Sequence, residues 1–253
     1  MNIYEEVYTV PNLEECKKLL CIQPHPDDTD VGAGATIAKL IEEGCKVYYL
    51  TVLDGRFGID DTNVTPEELV EIRIEEQKKA AQVLGVEKTI FLGYRDIFTG
   101  NLIEIRDKLV EIIRDIKPEM VMTVDPWLPY EAHPDHRNIG MIAVEASLFA
   151  KMPYYPYEKN HYFLPPWELK AIVFYHTSNP NTFIEISEDH MKKKIEAIAA
   201  HESQFPEKVL KLYSAFFYEQ AKHLGKSKEL GMVEAFKVLS LRHLHCFPDA
   251  IKI

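Results

Sequence analysis

Residues 19–35 read Leu-Leu-Cys-Ile-Gln-Pro-His-Pro-Asp-Asp-Thr-Asp-Val-Gly-Ala-Gly-Ala. A short apolar run, Leu19 to Ile22, leads into Pro24-His25-Pro26-Asp27-Asp28. Gly32, Ala33, Gly34 and Ala35 then open a helical pattern that reaches Glu43. The order strand, loop, helix puts the loop at the C-terminal end of a buried strand, which is where ligands bind in open α/β sheets. A turn placing His25 and Asp28 on one side offers a nitrogen and an oxygen to one metal ion and leaves Asp27 free for proton transfer. Taken alone, the loop reads equally well as a turn and helix cap, because Asp and Pro favour those positions.

A second loop changes that balance. His133-Pro134-Asp135-His136 also follows a β-like run, Met120 to Val124, and also precedes a helical pattern. Pro134 suits the first helical position, which puts His136 in the first turn. Catalytic zinc sites use three nitrogen or oxygen ligands and keep a fourth position for water. His25, Asp28 and His136 make such a set, with Asp27 and His133 left over as acid–base or electrostatic groups. Two independent caps explain this pairing poorly.

The same residues carry a family resemblance. The stretch 24–28 together with 133–136 resembles the zinc-dependent LmbE-like (PIG-L type) N-acetylglucosaminyl deacetylases. The longer run from Asp125 to His136 is similar to the diacetylchitobiose deacetylase branch. The resemblance extends from about Leu19 to the C-terminus. It implies one Rossmann-like three-layer domain over 1–253, a Zn2+ cofactor, an amino-sugar substrate and a homo-oligomer such as a hexamer. It also implies that Arg73, Asp96 and His243 line the substrate wall, part of which a neighbouring subunit can supply.

Bulk properties fit this reading. A chain of 253 residues with 46% hydrophobic content suffices for one large core. The net charge of −11 argues against nucleic acid or anionic membrane as partner. The first residues lack the basic-then-apolar pattern of a signal peptide. Cys16, Cys21, Cys45 and Cys246 form no Cys-x-x-Cys pair, so reduced thiols in the cytoplasm are expected.

In order, residues 1–15 read as an irregular lead-in. Strands are expected at about 18–23, 46–52, 88–92, 120–124, 171–175 and 182–186. Helices are expected at about 30–43, 65–84, 102–116, 134–150, from Ser187 to near His201, and 207–225. Strand–helix–strand units with short links give a mostly parallel sheet flanked by helices. Asp54-Gly55-Arg56-Phe57-Gly58 reads as a turn or as part of a binding crevice. Arg73, on a helix, reads as a solvated or ion-paired residue before the resemblance draws it into the pocket. The aromatic and proline-rich stretch 152–167 suits either a substrate rim or a subunit contact. His201 reads more as a helix C-terminal residue satisfying carbonyls than as a catalytic one. His243 and His245 are expected on one face of an extended tail.

The implied chemistry is amide hydrolysis, with Asp27 as general base and His133 as an imidazolium facing the developing oxyanion. The products are acetate and a free amino sugar: a chitin-derived disaccharide, a monosaccharide, or the glucosaminyl-malate of thiol biosynthesis. A non-catalytic nucleotide-binding protein is the rival from another class, but Gly32-Ala33-Gly34 lacks the dinucleotide-loop spacing. A magnesium phosphohydrolase using Asp27, Asp28 and Asp30 is the rival enzyme, and it leaves the histidines unexplained.

Overall fold

The computed structural model describes residues 3–59, 62–97, 100–156 and 164–253. Its core is a seven-stranded sheet in the order β3-β2-β1-β4-β5-β7-β6. The strands are β1 (Lys18–Gln23), β2 (Lys46–Leu53), β3 (Lys88–Tyr94), β4 (Met120–Val124), β5 (Ala171–Tyr175), β6 (Thr182–Ile186) and β7 (Met232–Leu239). The first five are parallel. β7 runs antiparallel to both β5 and β6.

β4 and β5 are buried along their whole length, as a sheet covered on both faces requires. Alternate side chains of β1 feed the two cores: Leu19 and Cys21 face one, Leu20 and Ile22 the other. On the first face α2 (Asp28–Glu42) and α3 (Pro66–Leu84) pack with α6 (Glu188–Ala199). On the second, α4 (Leu102–Ile116) packs with α5 (Pro134–Phe149). α7 (Glu207–Lys226) lies against β7. The result is a Rossmann-like three-layer α/β fold. No helix among the described residues is long and apolar enough to cross a membrane.

β1 pairs with β2 on one side and β4 on the other. The chain order therefore reverses between β1 and β4, and a crevice opens outside their carboxyl ends. Both histidine loops leave the sheet there.

The structure departs from expectation at the two ends of the chain. Residues 3–8 form a short helix, α1, and Leu13–Glu15 a 3-10 turn in which Asn12 accepts the Glu14 N–H. Leu13 is fully buried, so this segment is anchored by an apolar plug that its acidic neighbours disguise. Leu241–Leu244 is also a 3-10 turn, so His243 and His245 do not share an extended face.

Candidate active site

The 24–28 loop is set by one unusual residue. Asp27, at the N-cap of α2, has φ 102° and ψ −29°. This left-handed conformation costs a non-glycine residue roughly 1–3 kcal/mol unless its surroundings hold it there. Its N–H donates to Gln77 Oε1 at 2.8 Å, and its carbonyl accepts the Val31 N–H at 2.9 Å. The turn splits the two carboxylates. Asp28 bends back to accept the His25 N–H at 2.8 Å, while Asp27 meets Arg73 Nη2 at 3.1 Å.

Asp28 Oδ2 lies 3.5 Å from His25 Nδ1, and Oδ1 lies 3.3 Å from His136 Nε2. Donor atoms of the three residues all fall within 4.8 Å of one another. Donors about 2.0–2.1 Å from a tetrahedral zinc stand roughly 3.3–3.4 Å apart, so the set fits such an ion. The outward ring nitrogens are held as well. His25 Nε2 is 3.1 Å from Asp135 Oδ2, and His136 Nδ1 is 3.3 Å from Glu131 Oε2. Carboxylates behind imidazoles orient metal-binding histidines in this way. His25, His133 and Asp135 meet the same spacing, but Asp135 Oδ2 also accepts the Ile97 N–H and His133 Nδ1 accepts the Asp135 N–H.

These groups pull hard on one another. Burial opposes charge on His25, yet its bonds to Asp135 and Asp28 carry its pKa up to about 10. Burial likewise opposes charge on His136, and Asp28 carries it up to about 9. Burial alone would raise Asp28, but the two imidazoles hold it well below the carboxylate range. Asp27 goes the other way: burial lifts it to about 6 against the pull of Arg73.

Arg73 and Asp96 converge on the Gly55 turn. Arg73 Nη1 donates to Gly55 O at 3.1 Å and Nη2 to Pro26 O at 2.5 Å. Asp96 Oδ1 accepts the Gly55 N–H at 2.7 Å and lies 3.8 Å from His25 Nε2. Gly55 has φ +75°, and a Cβ there would sit 2.6 Å from Arg73 Nη1; at Gly58 it would sit 2.7 Å from the same atom. The 54–58 loop is thus both a glycine turn and a wall of the crevice. Gln204 Nε2 ties it to the end of α6 through Gly58 O, and Ser203 caps Glu76 of α3.

The expectations for His243 and His201 need correction. His243 is not in this wall. β7 is antiparallel, with Leu239 level with Ile172, so the following turn lies at the opposite end of the sheet. There His243 is buried and bonds the Val7 carbonyl and the Ser240 N–H. His133 has its pKa lowered by burial and by the neighbouring His25 and His136, which weighs against the imidazolium. His201 is no carbonyl cap, because its Nε2 bonds Asp30 Oδ2 at 2.9 Å in the core. In the 152–167 stretch, residues 157–163 lie outside the described residues. Of the rest, Tyr155 packs on Phe149 and Trp167 Nε1 donates to Pro118 O before β4, away from the crevice. Asp30 also points inward, to Tyr49 and Gln77, which breaks up the three-aspartate site of the phosphohydrolase rival. Nothing in the sequence marks Glu131 or Gln77, and Asp135, between the two loop histidines, carries only a positional signal.

An α/β enzyme with a histidine–carboxylate cluster built for a metal, at the switch point of its sheet, is the class that fold and site define. Residues 20–147 match the family described as PIG-L, GlcNAc-PI de-N-acetylase. The chain is 40% identical to the diacetylchitobiose deacetylase of Thermococcus kodakarensis, over 93% of this chain and 88% of that protein. It is 30% identical to a probable N-acetyl-alpha-D-glucosaminyl L-malate deacetylase 2 of Bacillus anthracis, over 78% and 85% of the two chains. The solved N,N'-diacetylchitobiose deacetylase of Pyrococcus horikoshii superposes with a TM-score of 0.89 at 35% identity, covering 97% of this chain and 92% of that one. The chain belongs to the PIG-L family and is an N-deacetylase.

Proposed function

We propose that this chain removes the N-acetyl group from a small N-acetylglucosamine-containing sugar, diacetylchitobiose or N-acetylglucosamine, and releases acetate. The observation that carries the mechanism is the division of labour between adjacent carboxylates, with Asp28 among the imidazoles and Asp27 turned away beside Arg73. His25, Asp28 and His136 would hold a zinc ion. Such an ion supplies a polarised carbonyl and water acidified to a pKa of about 7.

The chain's own residues do the rest. Asp27 takes the proton of the attacking water and returns it to the leaving nitrogen. His133 faces the carbonyl oxygen as it gains charge. It acts as a neutral imidazole: its Nδ1 accepts the Asp135 N–H, so the ring proton sits on Nε2 and is available to donate. Arg73 and Asp96 hold the Gly55 turn against the sugar.

The test is acetate release from a panel containing diacetylchitobiose, N-acetylglucosamine and N-acetylglucosaminyl-malate, with metal content measured on the same protein. Fastest turnover of the malate conjugate would move the substrate to thiol biosynthesis. Full turnover in metal-free protein would remove the zinc reading.

A further inference from the structure

We infer that Gln77, in the middle of α3, is a positioning residue for the reaction: it holds Asp27 in the left-handed turn that aims the proton acceptor. This rests on the reading of Asp27 as that acceptor.

Gln77 is fully buried, in a helix whose other buried residues mostly pack as apolar contacts. A glutamine there has to be held by partners, since an unsatisfied buried amide is costly. Its carbonyl accepts the Asp27 N–H and Gln23 Nε2, each at 2.8 Å. Its amide nitrogen donates to Asp30 Oδ2 at 2.8 Å. A backbone N–H on one side and an Asp30 carboxylate on the other leave the amide one orientation. Asp30 is fixed in turn by Tyr49 Oη at 3.0 Å and His201 Nε2 at 2.9 Å. Gln23 is fixed by Thr51 Oγ1 at 2.8 Å and the Thr29 N–H at 2.9 Å. Every side chain in this network is buried.

The network spans β1, β2, α2, α3 and the end of α6, and reaches the reaction centre at one atom, the Asp27 nitrogen. An aspartate at φ 102° keeps that conformation only while its surroundings hold it there, and at its N–H that support is Gln77. Without Gln77 the turn relaxes and the carboxylate swings from its aim, while Asp28, held by His25 and His136 on the other side, stays in place. The substitution should therefore act on turnover and spare metal and substrate binding.

The experiment is a double-mutant cycle. Gln77→Met keeps the length and removes both hydrogen-bonding groups. It should lower kcat about 10- to 100-fold, the cost of misplacing a reacting group by an ångström or so, with KM and bound zinc within about twofold of wild type. In an Asp27→Asn background the same change should cost nothing further. An additive loss, or a parallel loss of zinc, would overturn the inference. Asp27→Asn slow with Gln77→Met at wild-type speed would sink the positioning role alone. Asp27→Asn at full speed would sink it together with the acceptor reading. Should Gln77→Met not fold, a swap replaces it. Gln77→Glu sets two carboxylates face to face and should be slow. Adding Asp30→Asn restores a donor opposite the acceptor and should recover most of the turnover; a pair no faster than Gln77→Glu alone would overturn the inference.

Discussion

Asp27 and Asp28 are chain neighbours in opposite electrostatic settings: burial raises the first to about 6, and two imidazoles hold the second far down. Asp27→Asn should cost about 10²–10⁴ in turnover with zinc content unchanged. Asp28→Asn should lose zinc first and recover part of its activity when zinc is added in excess. Turnover against zinc concentration for both variants checks this; rescue of Asp27→Asn would show the two roles reversed.

Asp135 touches the His25 ring from behind and also binds the Ile97 N–H. Asp135→Asn should weaken zinc affinity by about 10–100-fold, as loss of such a supporting carboxylate does, with the fold intact by circular dichroism. Chelator competition measures it; unchanged affinity would leave Asp135 a purely structural residue.

Gly140, on the second turn of α5, faces β4. A Cβ there would meet the Val124 carbonyl at 2.8 Å, and strand backbone cannot yield as a side chain can. Gly140→Ala should cost about 1–3 kcal/mol of stability and push the start of α5, with His136, away from Asp28. Denaturant titration reads the first effect and zinc content the second.

The pH dependence of stability follows from His201. Burial opposes its charge, but the Asp30 carboxylate raises its pKa in the folded state. A raised histidine contributes stability that is complete below its unfolded value of about 6.5 and is lost as pH climbs through the folded value. The gap in urea stability between wild type and His201→Gln should therefore be wide at pH 6, about 3–5 kcal/mol for breaking a buried pair, and narrower at pH 9, with chelator present in both. A gap that widens with pH would refute the assignment.

Periodicity made most of the sheet readable in advance. Runs such as Ala171–Tyr175 and Met120–Val124, the latter apolar but for Thr123, are buried on both faces, and Thr65 with Glu68 forms the capping box that their spacing suggests. Leu13 escaped because a single apolar residue among acids carries no periodicity. β7 was missed because Glu234 and Lys237 interrupt its apolar run. Its antiparallel direction decides where His243 goes, so the place of that histidine is not legible in the sequence either. The two histidine loops announced themselves through residue type. Gln77 could not, because its role depends on a backbone angle at Asp27 that no local pattern encodes.

The glycines at 55 and 58 also set limits on redesign. A side chain at either would press on Arg73 Nη1, and Gly55 carries a positive φ besides, so a saturation library over the loop should return few active clones altered at those two positions. Its tip offers more latitude. Phe57 is 43% exposed and stacks under the Arg95 guanidinium at 5.1 Å, a contact that reshapes the rim without touching the frame beneath it. Variants at 57 and 95 are where a search for altered sugar preference should begin.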